Sequence, residues 1–179
     1  MWHTSNWPAC TTLDDLAGQR VAVIGNGASG MQVVQHLQPV VARLDHYARN
    51  LTWVAGAYTG DNERTLAPQP LPDALRESFL DDASGSTYLT YRKKVEAPYW
   101  RRFDALFRDR PANDAAGAQY RAVMARRVAK KPELLDKLVP DFAPHCRRLT
   151  PAPGYLEALC EDNVACITTP IRRFTRTGI

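Results

Sequence analysis

The fold is decided by the stretch Arg20-Val21-Ala22-Val23-Ile24-Gly25-Asn26-Gly27-Ala28-Ser29-Gly30. Its first half is apolar and rich in β-branched residues, which predicts a short strand buried on both faces of a parallel sheet. The second half has the spacing Gly-x-Gly-x-x-Gly, and helix-forming residues follow it. A glycine-rich turn between a strand and a helix is typical of Rossmann-like α/β proteins that bind dinucleotides.

The three glycines have different mechanical roles. Gly25 permits the sharp turn, Gly27 has no Cβ and lets a diphosphate approach the backbone, and Gly30 allows the helix to pack closely on the sheet. A purely structural turn is the alternative, whereas a nucleophile elbow and a P-loop are excluded by the residues that follow. The predicted diphosphate site comprises Gly25, Asn26, Gly27, Ala28, Ser29 and Gly30.

The residue that ends the second predicted strand indicates which dinucleotide is bound. A helix is predicted over Ala28–Gln38 and a strand over residues 44–49, so that Arg49 stands where NAD-binding proteins usually carry an acid. A guanidinium can hold a 2′-phosphate with two parallel hydrogen bonds, whereas an acid repels it. The sequence therefore favours NADP(H) over NAD(H), and a solvated arginine at a strand end is the alternative. Asp45 lies mid-strand and is not expected to hold the ribose.

Length and composition place the chain among ordinary globular domains. Its 179 residues are 45% hydrophobic and 23% charged, and no apolar run approaches the roughly 20 residues that cross a bilayer. The net charge of +4 is compatible with an anionic ligand. A basic face is predicted on a helix over residues 115–131, but no groove-reading motif accompanies it, so nucleic acid is not an expected partner.

Cysteine usage and the N-terminus predict a cytoplasmic location. The first residues have neither a basic segment nor an apolar core, so we expect no signal peptide. The cysteines form no C-x-x-C pair and are not spaced with histidines as zinc ligands are, which indicates reduced thiols and no metal site. They are Cys10, Cys146, Cys160 and Cys166.

Periodicity divides the chain into three parts. Residues 1–17 are predicted to form an extended lead-in or hinge segment, and residues 18–60 and 146–179 a Rossmann-like unit with a parallel sheet. Between them, residues 61–145 are predicted to be a helical insertion, after a loop over 55–72. Pro98 is expected to kink or split one of its helices. Further strands are predicted at 164–167 and from Ile171 onward.

Three stretches, in this order along the chain, resemble the NADP-binding lobe of Baeyer–Villiger-type flavin monooxygenases of the kind common in fungal secondary metabolism. The first is His3-Thr4-Ser5-Asn6-Trp7-Pro8, which resembles the second half of the family fingerprint F-x-G-x-x-x-H-x-x-x-W-P. The second is the glycine loop with Tyr47-Ala48-Arg49-Asn50-Leu51-Thr52-Trp53, where Leu51 replaces a proline of the family. The third is His145-Cys146-Arg147-Arg148, where His145 replaces a glycine.

The resemblance implies an oxidoreductase in which NADPH reduces FAD and dioxygen then converts a ketone into an ester or lactone. It implies that Arg148 is the active-site arginine, which stabilises negative charge on the oxidising group and on the substrate carbonyl. It also implies that Arg147 joins Arg49 on the 2′-phosphate, and Asn50 is expected in the same cofactor site. His3 and Trp7 lie at the hinge between the nucleotide lobes on this mapping.

One feature of the family is missing from the sequence. A complete member carries an earlier glycine-rich loop for FAD, but this chain contains a single Gly-x-Gly-x-x-Gly. The expected fold is therefore truncated relative to the two-dinucleotide-domain flavoprotein fold, and the chain alone is expected to lack FAD binding and turnover. Missing segments of the same enzyme or a flavin-bearing partner would supply the flavin. The alternative is a non-catalytic nucleotide-binding or interaction module, a decayed remnant of such an enzyme.

Overall fold

The computed structural model describes residues 1–55, 70–176 and 178–179, with the backbone alone at residues 98, 99 and 101. Its sheet contains three parallel strands in the order β1-β2-β3, which is the order of one half of a doubly wound sheet. The strands are β1 (Arg20–Ile24), β2 (Arg43–Tyr47) and β3 (Val164–Ile167). The predicted α/β fold with a parallel sheet is confirmed.

Helices fill the connections between these strands. The α-helices are α1 (Ala28–Leu37), α2 (Asp73–Asp81), α3 (Ser86–Arg101), α4 (Pro111–Arg127), α5 (Leu135–Leu138) and α6 (Tyr155–Leu159). Short 3₁₀ turns lie at Thr4–Asn6, Asp14–Leu16, Phe103–Leu106 and Pro132–Leu134.

The described part of the chain covers one face of the sheet. On that face Val23, Leu44 and Val164 join a core with α1 and α6. Leu44 pairs with Val164, and Val23 pairs with His46, which lies two residues after Leu44 and therefore points to the same side. On the opposite face Ala22 is exposed and Ile24 is 50% exposed. The prediction that β1 is buried on both faces was therefore wrong, since no described helix packs on the second face.

The helical segment between β2 and β3 contributes to the same core. Met124 and Val128, in and after α4, are buried in the cluster that contains the core side chains of the strands. The Arg127 guanidinium donates to both carboxylate oxygens of Glu157 in α6, at 2.7 and 2.8 Å, and to the carbonyl oxygen of Ala152 at 2.7 Å. These charge-assisted bonds fix α4 against the loop and helix that lead into β3.

Several predicted elements differ from the structure. The predicted strand from Ile171 is absent: residues 171–174 form no regular element, because no described strand lies beside them to pair with. Helix α3 runs to residue 101 without the split expected at Pro98. The predicted loop over 55–72 and the boundary after residue 60 fall mostly or wholly outside the described residues. The division into lead-in, Rossmann-like unit and insertion stays a prediction.

A buried histidine lies on the core face of β2. His46 is 0% exposed, and its Nε2 lies 3.0 Å from the hydroxyl oxygen of Tyr155. Its Nδ1 has no hydrogen-bond partner of ordinary geometry in the described part of the chain. Burial lowers the pKa of His46 to about 4, although the adjacent Val23 backbone favours the charged form slightly. The imidazole is therefore neutral at neutral pH.

We predict that this histidine makes the protein less stable in mild acid. The unfolded chain takes up the proton near pH 6.5 and the folded chain only near pH 4, so stability is full above this window and is lost as pH falls through it. The expected loss of unfolding free energy is about 1.4 kcal/mol per pH unit and about 3 kcal/mol in total. Urea unfolding at stepped pH measures it.

The control variants separate His46 from other titrating groups. His46→Gln should reduce the loss of stability across this window, whereas His36→Gln, at an exposed position of α1, should leave it unchanged. An identical pH profile for His46→Gln and the parent chain would contradict the assignment.

Candidate functional site

A cleft of about 630 Å³ lies at the carboxyl end of the parallel sheet. Residues that follow all three strands line it, together with the segment that returns from the helical region. Ligands of open α/β sheets bind at this edge, because the loops there converge beyond the strand ends. The lining residues are Ile24, Gly25, Asn26, Gly27, Ala28, Tyr47, Arg49, Asn50, Leu51, Thr52, Arg147, Arg148, Thr150, Thr169, Pro170 and Ile171.

The glycine loop has the geometry that its spacing predicts. Gly25 has a φ of 111°, which side chains disfavour, and its N–H donates to the Tyr47 carbonyl oxygen at 3.0 Å. A Cβ at Gly30 would overlap the Gly25 carbonyl oxygen, so α1 packs directly on the turn. A Cβ at Gly27 would meet no described atom within 4 Å, which leaves space above the loop.

The N-terminus of α1 faces this space without a cap. Gly27 is the N-cap residue, and no described side chain makes a capping hydrogen bond there. The first N–H groups of a helix have no partner within the helix and carry partial positive charge, so this end is suited to an anion.

Asn26 joins the glycine loop to two other parts of the fold. Its Nδ2 donates to the Asn50 carbonyl oxygen at 3.2 Å, and its Oδ1 accepts from the Tyr155 hydroxyl at 2.8 Å. The loop after β1 is therefore fixed to the segment after β2 and to the first residue of α6.

Three arginines give the cleft its charge. Arg49, Arg147 and Arg148 are all exposed in its lining, and the described lining residues include no carboxylate. The guanidinium of Arg147 lies over the Phe142 ring, 5.2 Å from its centroid, which orients this side chain. Clustered cations without acids produce a positive potential that favours phosphate.

A second cavity, of about 800 Å³, adjoins the cleft and shares Arg147 and Arg148 with it. Its walls are mostly apolar and come from α3, α4 and the 3₁₀ turn between them, including Trp100, Phe103 and Leu106. At its polar edge the Tyr120 hydroxyl lies 3.4 Å from Nε2 of His145, and burial lowers the pKa of that histidine. The two arginines thus stand between the cleft at the glycine loop and a more apolar cavity.

Buried Asn113 fixes the approach of the arginine segment. Its Nδ2 donates to the carbonyl oxygens of Ala105, at 2.7 Å, and Pro144, at 3.0 Å. Pro144 immediately precedes the turn that carries the arginines, and His145 in that turn has a φ of 67°. His145 stands where the family that this segment resembles has a glycine, and it nevertheless adopts the left-handed conformation.

The structure brings most of the predicted site residues together and leaves four outside. Those that line the cleft are Gly25, Asn26, Gly27, Ala28, Arg49, Asn50, Arg147 and Arg148. Ser29 and Gly30 lie in the first turn of α1, outside the lining. His3 caps its own 3₁₀ turn, and the Trp7 ring packs edge-on against Trp2 at 5.6 Å. The roles assigned to all of these residues stay predictions.

Sequence reasoning missed several residues of the cleft. Thr169 and Pro170 lie two and three residues beyond the end of β3, so the rule that ligands bind beyond the strand ends could have identified them. Tyr155 reaches Asn26 from 129 residues away, and no local sequence signal indicates that contact.

The described ranges contain no group of three His, Cys, Asp or Glu side chains placed to hold a metal ion. No helix within them is long and apolar enough to span a membrane. All four cysteines are free thiols.

Comparison with known proteins identifies relatives, although no family model matches the chain. An FAD-binding monooxygenase of Aspergillus terreus, tazF, is 35% identical over 163 residues, which cover 90% of this chain and 29% of the relative. A Baeyer–Villiger monooxygenase of Pseudomonas aeruginosa is 31% identical over 190 residues, covering all of this chain and 31% of the relative.

A solved structure has the same fold. The NADP+-bound cyclohexanone monooxygenase mutant from Rhodococcus sp. Phi1 matches with a TM-score of 0.67 and 24% identity, over 96% of this chain and 37% of that one. These relatives confirm the resemblance that the three sequence stretches indicated. The chain is therefore similar, over nearly its whole length, to one portion of FAD-binding and Baeyer–Villiger monooxygenases, and it spans less than a third of the length of the two curated relatives described above.

Proposed function

We propose that this chain is the NADP(H)-binding portion of an FAD-dependent Baeyer–Villiger-type monooxygenase that oxygenates a ketone or similar carbonyl in cytoplasmic secondary metabolism. The observation that carries the proposal is the acid-free cleft, where an uncapped helix N-terminus meets three arginines. A dinucleotide with an extra phosphate needs these two kinds of anion site side by side.

The cleft fits NADP(H) group by group. The diphosphate binds at the N-terminus of α1, in the open space above Gly27. Arg49 and Arg147 hold the 2′-phosphate, and no described residue forms an ion pair with the Arg49 guanidinium that would compete. Asp45, the acid nearest to Arg49 in sequence, is paired instead with Arg43 at 2.9 Å and does not line the cleft.

Arg148 is proposed as the catalytic arginine. It lines both the cleft at the glycine loop and the more apolar cavity, so a ketone seated in the cavity can present its oxygen to the guanidinium. A fixed cation beside an oxygen that gains negative charge lowers the barrier to attack on the carbonyl. The aromatic and aliphatic walls would hold the apolar body of the substrate.

A flavin supplies the oxygen chemistry when it is bound. In our proposal these 179 residues do not bind the flavin. The sequence offers one dinucleotide loop, and the residues around that loop fit NADP(H). The 179-residue chain should therefore bind NADPH without turning over, and the flavin would come from further segments of the enzyme or from a partner.

A non-catalytic nucleotide-binding or interaction module is the second candidate. It is favoured by the presence of a single dinucleotide loop in these 179 residues. A retained, selective NADPH site would support the enzyme-derived proposal, whereas loss of binding to both nucleotides would support a decayed remnant.

Arg49→Ala should weaken NADPH binding by roughly 10- to 100-fold, since it removes charge-assisted hydrogen bonds worth about 1.5–3 kcal/mol. NADH has no 2′-phosphate, so its affinity should change little. Calorimetric titration of both nucleotides measures the preference. Arg20→Ala is the matched control, because Arg20 is the first residue of β1 and lies at the amino ends of the strands, opposite the cleft. Equal affinities of the parent chain for NADPH and NADH would contradict the assigned role.

Alanine at two glycines should separate binding from folding. Gly27→Ala should leave the unfolding free energy nearly unchanged but abolish NADPH binding, because its methyl group fills only the space reserved for the diphosphate. Gly30→Ala should destabilise the fold by roughly 2 kcal/mol or more, because its methyl group overlaps backbone. Urea unfolding and nucleotide titration of both variants test this; normal NADPH affinity in a folded Gly27→Ala variant would refute the diphosphate position.

The purified chain should show neither the visible absorbance of a bound flavin nor oxygen-dependent consumption of NADPH, with or without a ketone. Absorbance spectra and NADPH oxidation assays in air, with added FAD, measure both. Retained flavin together with NADPH oxidation would overturn the proposal that this chain alone is inactive.

A further inference from the structure

We propose that Tyr155 and His46 are positioning residues of the dinucleotide site, which hold Asn26 and through it keep the glycine loop in register with the Arg49 segment. The inference rests on the proposed NADP(H) site and adds two residues that no sequence motif marks. Its basis is a continuous chain of hydrogen bonds, His46 to Tyr155 to Asn26 to Asn50, with contacts of 3.0, 2.8 and 3.2 Å.

The donors and acceptors allow the hydrogen bonds of this series to run in only one direction. The Asn26 amide nitrogen is used on the Asn50 carbonyl, so its oxygen must accept, and the Tyr155 hydroxyl spends its proton on that oxygen. The Tyr155 oxygen must then accept from Nε2–H of His46, which leaves the buried Nδ1 without a proton. Every bond in the chain thus points from the core toward the loop.

Burial makes the inner part of the hydrogen-bond series, from His46 to Tyr155, rigid. Tyr155 is 1% exposed and His46 is 0% exposed, and their rings meet edge-on with centroids 5.6 Å apart. Burial also raises the pKa of the Tyr155 hydroxyl well above its usual value, so the hydroxyl remains a donor. A hydroxyl on a buried ring, hydrogen-bonded on both sides, has little freedom to move, and it therefore fixes the amide that accepts from it.

The outer part of the hydrogen-bond series, from Asn26 to Asn50, lies where the sheet ends. The Ala48 N–H donates to the Ile167 carbonyl oxygen, which is the ladder bond nearest to Arg49. The next residues leave the sheet, and the Asn26 amide holds them through the carbonyl of Asn50. Asn26 therefore sets the spacing between the diphosphate loop and the arginine proposed for the 2′-phosphate. NADPH needs this spacing, whereas NADH does not.

The test is the nucleotide preference of Tyr155→Phe in the full 179-residue chain. The variant keeps the ring packing and removes only the hydroxyl. We expect its affinity for NADPH to fall about tenfold, the scale of one hydrogen bond, with a smaller change for NADH. Tyr88→Phe, at a half-exposed position of α3 outside the cleft, is the matched control and should retain the parent preference.

A double-variant cycle distinguishes positioning from a general effect on structure. Asn26→Ala removes the same series of hydrogen bonds at its loop end and leaves the core intact, so it should also reduce the preference for NADPH. If Tyr155 acts through Asn26, then Tyr155→Phe has little further effect in the Asn26→Ala background. Independent, multiplying losses would overturn the inference, as would an unchanged preference in either single variant. Should Tyr155→Phe fail to fold, the preference of Asn26→Ala decides.

Nuclear magnetic resonance of the nucleotide-free chain gives a readout that does not depend on binding. The Asn26 side-chain amide should exchange slowly with solvent in the parent chain and faster in Tyr155→Phe. A parent chain that binds neither nucleotide would overturn the proposed function and this inference with it. A parent chain that prefers NADPH, with Tyr155→Phe unaffected, would overturn this inference alone.

Discussion

The close approach of helix α1 to the turn after β1 is the constraint on which the site depends. A side chain at Gly30 would overlap the Gly25 carbonyl oxygen, so the helix can reach this position only with glycine there. That approach directs the uncapped N-terminus of α1 into the cleft. It also orders the loop from which Asn26 reaches Asn50. The geometry that makes room for an anion is thus created by backbone packing rather than by charged side chains.

The parallel sheet then brings distant segments to the same edge. The three strands run in one direction, so the residues after each of them meet beyond their carboxyl ends. Arg147 and Arg148 arrive by a different route, since they follow the helical segment. Asn113 fixes the turn before them, and Arg127 fixes the loop after them through the Ala152 carbonyl oxygen. The helical segment therefore positions cations in the cleft in addition to covering the core.

Local patterns in the sequence predicted the local parts of this structure. The apolar run, the glycine spacing and the apolar period of Met31, Val34 and Leu37 placed β1 and α1 within a residue or two. Burial of β1 on both faces could not be judged in this way, because it depends on which other elements are present. The same limit explains the strand predicted from Ile171, since a strand requires a neighbour to pair with. The contact between His46 and Tyr155 spans 109 residues, so it became visible only with the fold.

The arrangement of charge, rather than its total, makes the cleft locally positive. The chain carries 23 basic and 19 acidic side chains, a balance from which a phosphate site would not be inferred. Acids elsewhere are held by nearby cations: Asp45 by Arg43, Glu157 by Arg127 and Glu161 by Lys130. The described lining of the cleft contains arginines and no acid. Because exposed ion pairs at a distance are screened by salt, an approaching phosphate responds mainly to the nearby guanidinium groups. Because these acids are paired outside the cleft, a chain with a net charge of only +4 concentrates unopposed positive charge at one site, which is the condition that the proposed phosphate contacts require.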